Sequence, residues 1–220
     1  MQADNGHEGH CGRGGNRLMS LRGPKYERMA HDAYFTPPRH VSALVQQLPC
    51  FPRQARLWEP AAGAGHVACV LDHECRGVSV TATDLCAPKK QVYPVTSGLD
   101  FLKSTGPSGA GPLCIITNPP YGLQGRLAEK FLNHAFDLVA LNAGMVAFLL
   151  PFEFDAGKTR IAMVSRQPAF AMKLTLTERI RWLNLPQSKN DPMGHHAWFV
   201  WDFNLVRRDY IRRGGMLRAV

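Results

Sequence analysis

Three stretches of this chain hold side chains whose types and spacing could do chemistry. The first, Glu59-Pro60-Ala61-Ala62-Gly63-Ala64-Gly65, is built of small residues around two glycines, so a ligand can lie against the turn and the start of a following helix. It has no Walker lysine, which argues against a P-loop. Gly63, Gly65 and Ala68 do fit the loose G-x-G-x-x-A dinucleotide spacing, so a nicotinamide cofactor stays open. The second is Asp84, about twenty residues further on, where a carboxylate can accept hydrogen bonds from ribose hydroxyls. Glycine turn and acid together suggest an adenosine-containing cofactor. The third is Asn118-Pro119-Pro120-Tyr121-Gly122, a rigid double-proline turn with an amide before it and an aromatic ring after it.

The elements around these stretches place them at strand ends. After Thr36-Pro37-Pro38, apolar residues at Val41, Leu44, Val45 and Leu48 follow the i, i+3, i+4, i+7 rule and predict a helix ending near Pro49. Arg56–Glu59 reads as a strand running into the glycine turn, and Val67, Val70 and Leu71 as a second helix. Residues 78–83, 113–117 and 145–150 read as buried strands, and 124–141 as a helix with Leu127, Phe131, Ala135 and Leu138 on one face. Such alternation predicts an α/β fold with a mostly parallel sheet. Residues 173–182 and 197–203 look like two strands with no helix between them, hence an antiparallel pair at the C-terminal side.

With Asp84 and the glycine turn, the Asn118 motif resembles the S-adenosylmethionine-dependent amino-methyltransferases, and among them the adenine-modifying DNA branch. Ala33-Tyr34-Phe35-Thr36-Pro37 resembles the segment that in this family wraps the cofactor's methionine end, and Asp100-Phe101 the acidic-aromatic pair beside its adenine. The resemblance covers roughly residues 33 to 203, in the order of the branch whose cofactor half comes first. With Leu149-Leu150-Pro151-Phe152-Glu153-Phe154 and the 196–201 strand, the pattern looks most like small phage- and prophage-type members.

The family likeness implies a Rossmann-like methyltransferase fold with S-adenosylmethionine as cofactor. It implies Asn118, Pro119, Pro120 and Tyr121 as the catalytic residues. Tyr34, Phe35, Thr36, Pro37, Glu59, Pro60, Ala61, Gly63, Gly65, Asp84, Leu85, Asp100 and Phe101 would bind the cofactor, and Phe152 or Trp198 would close the second face of the base. An exocyclic purine amine is a poor nucleophile, so such a site draws its hydrogens toward acceptors and holds the nitrogen in line with the methyl. Tyr121 would stack on the extruded base. An RNA or protein-glutamine methyltransferase with the same motif is the enzyme alternative, and a non-catalytic nucleic-acid binder the other.

Composition frames this reading. The chain has 220 residues and 45% hydrophobic content, which suits one soluble domain, and no apolar run approaches the roughly 20 residues a bilayer needs. Residues 1–24 hold six glycines and little periodicity and are expected to be a flexible leader, with a methyltransferase domain over 25–205 and a basic tail over 206–220. Six cysteines without a CxxC pair fit a reduced cytoplasm; His7, His10 and Cys11 read as solvated leader, and no metal is expected.

Net charge is +9, of which residues 151–220 (12 Lys+Arg, 6 Asp+Glu) hold +6. DNA is the expected partner, with Arg207, Arg208, Arg212, Arg213 and Arg218 as a terminal phosphate grip and Lys158, Arg160, Arg179 and Arg181 along the cleft. The loop from Pro186 to Gly194 is polar and long enough to reach a groove. A chain ending at Val220 leaves no room for a large target-recognition region, so loose or short-site specificity is expected.

Overall fold

The computed structural model describes residues 34–185, 194–204 and 218–219. The leader, residues 186–193 and Arg207, Arg208, Arg212 and Arg213 lie outside the described residues, as does the side chain of Arg218.

The chain order is α1 (Pro38–Val45), β1 (Arg56–Glu59), α2 (His66–Glu74), β2 (Ser79–Asp84), β3 (Thr96–Ser97), β4 (Leu113–Thr117), α3 (Arg126–Ala140), β5 (Met145–Pro151), β6 (Phe170–Leu176), β7 (His196–Asp202) and β8 (Arg218–Ala219). The strands form one sheet in the order β3-β2-β1-β4-β5-β7-β6-β8. Pairing is parallel from β3 through β5, while β7 runs antiparallel to both β5 and β6. The mixed α/β sheet expected from the sequence is the one observed. Among the described residues, no helix is long and apolar enough to cross a membrane.

Every residue of β4 is buried, as expected of a central strand with helices on both faces. Along β5 the pleat divides the side chains: Met145, Ala147 and Leu149 join Val41, Leu44, Val67 and Leu71 of α1 and α2. Val146, Phe148 and Leu150 face the other way, onto Phe131, Ala135 and Val139 of α3. The stripe of α3 is broader than expected: Ala128, Leu132, Phe136 and Val139 join Phe131 and Ala135, while Leu127 and Leu138 sit at its partly buried edges.

Two expectations are corrected. The strand expected over 173–182 runs from Phe170 to Leu176 instead, entering through an irregularity between Phe170 and Met172. Beyond it, buried Ile180 and Trp182 still alternate with exposed Arg179 and Arg181, which mimics a strand, but this stretch leaves the sheet to cover Tyr34 and Phe35. Trp198, expected as a candidate base-stacking ring, is fully buried in the α1/α2 layer, where its indole N–H donates to the His40 carbonyl at 2.8 Å. It is a packing residue. Trp198→Phe is expected to lower stability by about 1–3 kcal/mol, because the His40 carbonyl is left buried without its donor; urea unfolding with an unchanged slope checks this.

Candidate active site

Strand order reverses between β1 and β4, the switch point of this sheet, and ligands of open α/β sheets bind beyond the carboxyl ends of such strands. Glu59 ends β1 and Asn118 follows β4, so pairing of these two strands brings the first and third sequence motifs side by side.

After Glu59 the chain turns through Gly63 and Gly65, whose φ angles of 53° and 87° lie in the left-handed region. At Gly65 a Cβ would also come within 2.8 Å of Tyr93. Asp84 holds this turn to the end of β2: its Oδ2 accepts the Gly63 N–H and its Oδ1 the Cys86 N–H, both at 2.7 Å. Glu59 is buried, with its Oε2 accepting the Ala68 N–H at 2.7 Å. Burial pushes its carboxyl well above the usual range; the Ala68 bond offsets part of that rise and the nearby Asp84 charge adds to it.

A cavity of about 620 Å³ opens over these strand ends. From the expected residues it brings together Tyr34, Phe35, Thr36, Glu59, Pro60, Ala61, Gly63, Asp84, Leu85, Asp100, Phe101, Asn118 and Pro120. Pro37, Gly65, Pro119 and Tyr121 do not line it: Pro37 precedes α1, Gly65 precedes α2, and Pro119 is buried. Phe101 forms part of an aromatic wall with Trp58 at 5.1 Å and Phe131 at 4.8 Å. Asp100 caps the short turn that carries it by accepting the Leu102 N–H.

Asn118 is gripped on both sides of its amide. Its Nδ2 donates to the Tyr34 carbonyl at 3.0 Å, while the Tyr121 hydroxyl lies 3.2 Å from both Asn118 Oδ1 and the Leu149 carbonyl, sharing its one proton between them. The Tyr121 ring lies roughly parallel to the His196 ring, 6.2 Å away. Burial holds the His196 imidazole down to about 4. Phe152, just beyond β5, is 37% exposed and lies under the Lys173 ammonium, 3.9 Å from the ring centroid, outside the cavity wall.

Sequence reasoning missed His66, which follows the glycine turn and stacks on Phe35 at 5.2 Å, and Asn184, whose Oδ1 accepts the Phe35 N–H at 2.9 Å. The position of His66 directly after Gly65 was a usable signal. Asn184 had none, because its place depends on the return of residues 177–185 over the first described segment. Of the cations expected along the cleft, Lys158, Arg179 and Arg181 are exposed, but Arg160 is turned inward onto Glu129 at 2.6 Å.

No family model and no curated protein matches the chain. Solved structures similar to it include the type I restriction-modification system methyltransferase subunit from Streptococcus thermophilus (TM-score 0.53, 13% identity, 77% of this chain and 45% of that one). Others are a modification subunit of a putative type I restriction enzyme from Vibrio vulnificus (0.49, 13%, 78% and 44%) and an SAM-dependent O-methyltransferase from Thermotoga maritima (0.49, 12%, 77% and 66%). The chain spans less than half the length of the first two. The likeness to the Streptococcus subunit is one of fold and places the sheet in the Rossmann-like class that the sequence led us to expect.

Because His196 is held neutral in the folded chain, the unfolded chain binds more protons between the ordinary value of 6.5 and about 4. Its contribution to stability is therefore present above pH 6.5 and lost as pH falls toward 4. His196→Asn is expected to lower the slope of that part of the stability-against-pH curve without removing it, since burial holds His40 down to about 4 as well, read by chemical unfolding at a series of pH values.

Proposed function

We propose that this chain binds S-adenosylmethionine in the 620 Å³ cavity and methylates the exocyclic amine of an adenine taken out of DNA. The observation that carries the reading is that Asn118, with its double-proline turn, lines the same cavity as Glu59, Gly63 and Asp84. The residues present fit the cofactor. Thr36 is 2% exposed and lines the cavity, yet its hydroxyl has no hydrogen-bond partner among the described residues, as expected of a group that meets a ligand. At Gly63 an added Cβ would stand 3.0 Å from the Phe35 ring, so only glycine leaves the close approach open.

In this reading Asp84 accepts from ribose hydroxyls with the lone pairs its two backbone bonds leave over, Phe101 and Leu85 flank the adenine, and Thr36 and Phe35 cover the methionine end. Bound there, S-adenosylmethionine supplies an activated methyl group on sulfur. Asn118 Oδ1 accepts one hydrogen of the substrate amine, and the Pro119 carbonyl, on a backbone stiffened by two prolines, offers a second acceptor. Drawing both hydrogens away raises electron density on the nitrogen and fixes its direction. Tyr121 offers its ring to the extruded base once its hydroxyl leaves Asn118. Lys158, Arg179 and Arg181, which are exposed, would hold phosphates.

Incubation with labelled cofactor and unmethylated DNA, followed by digestion to nucleosides, is expected to place label in N6-methyladenine. Label found only in RNA or in protein glutamine moves the activity to those substrates, and no label on any of the three overturns the reading. Asn118→Ala is expected to abolish turnover while cofactor affinity, measured by calorimetry, stays within about 3-fold, since the lost contact belongs to the substrate. Asp84→Asn is expected to weaken cofactor binding by about 1–3 kcal/mol, the scale of a hydrogen bond to a charged group; equal affinity in variant and wild type removes that role.

A further inference from the structure

The loop that follows Tyr121 is conformationally costly. Gly122, Gln124 and Gly125 all have left-handed φ angles, of 63°, 55° and 77°, and Gln124 is one of the rare residues with a side chain in that region. Such a loop keeps its shape only where the surroundings over-determine it. One end is tied to α3, where the Tyr121 carbonyl accepts the Leu127 N–H at 3.1 Å. The middle is held by one guanidinium. Arg160 Nη2 donates to the Gln124 carbonyl at 2.5 Å, its Nε pairs with Glu129 Oε1 at 2.6 Å, and its Nη1 reaches the Phe154 carbonyl at 3.4 Å.

The same group lies 4.5 Å over the Phe154 ring. A Cβ on Gly125 would come within 2.7 Å of Nη2, so the glycine leaves room for the fork. The side chains of Arg160 and Glu129 are 18% and 25% exposed, a shielding under which the pair holds its geometry better than a fully exposed one. Three segments therefore meet at Arg160: the loop after the Asn118 motif, the first turn of α3, and the turn after β5 that also carries Phe152. An ammonium in place of this planar fork lacks its fixed spread of donors.

We propose that Arg160 is a positioning residue of the substrate side, setting the 122–125 loop, and through it Tyr121 and Asn118, against the turn after β5. The proposal rests on the function proposed above for the Asn118 motif. It also replaces the expectation that Arg160 grips phosphates, because all three of its nitrogens donate to acceptors inside the protein, which engages three of its five N–H groups.

The test combines hydrogen exchange with kinetics on Arg160→Ala and the milder Arg160→Lys. Exchange over residues 122–126 is expected to rise about 10-fold or more in Arg160→Ala and less in Arg160→Lys, with α2 and β4 unchanged. For methyl transfer, kcat is expected to fall about 10- to 100-fold while the KM for cofactor stays within about 3-fold, since a displaced loop misaligns the reacting groups without touching the cofactor. Millimolar guanidinium ion is expected to restore part of both losses in Arg160→Ala.

Wild-type exchange over 122–126 in both variants overturns the proposal, as does lost protection with full kcat, or a parallel collapse of kcat and cofactor affinity. Absence of methyl transfer in the wild type sinks the function proposed above, and the exchange result alone then decides whether Arg160 sets the loop.

Discussion

The parallel pairing of β1 with β4 is the constraint on which the site depends. The two strands are neighbours in the sheet though the crossover through α2, β2 and β3 separates them in sequence, and the order reverses between them. A reversal leaves no helix to cover the gap at their carboxyl ends, so a cavity opens there. It also puts a buried carboxyl, Glu59, and an amide, Asn118, on adjacent strand ends. Full burial of β4 and the division of β5 between two helical layers keep this pairing in one register, because a slip by one residue would exchange the two faces.

Around that gap the protein spends its polar groups on holding backbone. Both oxygens of Asp84 accept backbone N–H groups, one of them from the glycine turn, and Glu59 reaches forward to the Ala68 N–H inside α2. The roof is tied in the same manner: the Leu183 N–H donates to the Phe35 carbonyl, Asn184 accepts from the Phe35 N–H, and Asn118 donates to the Tyr34 carbonyl. Segments far apart in sequence, around Tyr34, Asn118 and Asn184, thus share one hydrogen-bonded seam. Disturbing the roof therefore changes the setting of Asn118 as well as access to the cavity.

Much of this could be read in the residues. β1 and β4 lie where the apolar runs put them, because strands buried on both faces need continuous apolar side chains. The glycine turn, Asp84, Asp100 and Asn118 come together because strand ends of a parallel sheet converge on one side. What could not be read is whatever depends on which face a side chain takes. Trp198 looks the same in sequence whether it packs inward or lines a cleft, and the pleat of β7 decides that it packs on α1. Residues 179–182 keep a period of two, so their departure from the sheet is invisible until Ile180 and Trp182 are seen beneath a different partner. Arg160 carries the same charge as Arg179, but only tertiary contact turns one inward and leaves the other at the surface.

The Tyr121 hydroxyl on Asn118 Oδ1 marks that oxygen as an acceptor that an entering group meets. The amide oxygen has a second lone pair and the Tyr121 proton is shared with the Leu149 carbonyl, so an entering group that brings a hydrogen of its own can join or replace the O–H there. An amine does so at little net cost. A carbonyl set at the same point brings lone pairs against a lone pair, and a site built for donors rejects such a group far more strongly than it rejects a mere difference in size. Under the proposed function, discrimination between an amino-bearing and a keto-bearing base is thus set by the lone pairs of a single amide oxygen, before any contact with flanking sequence.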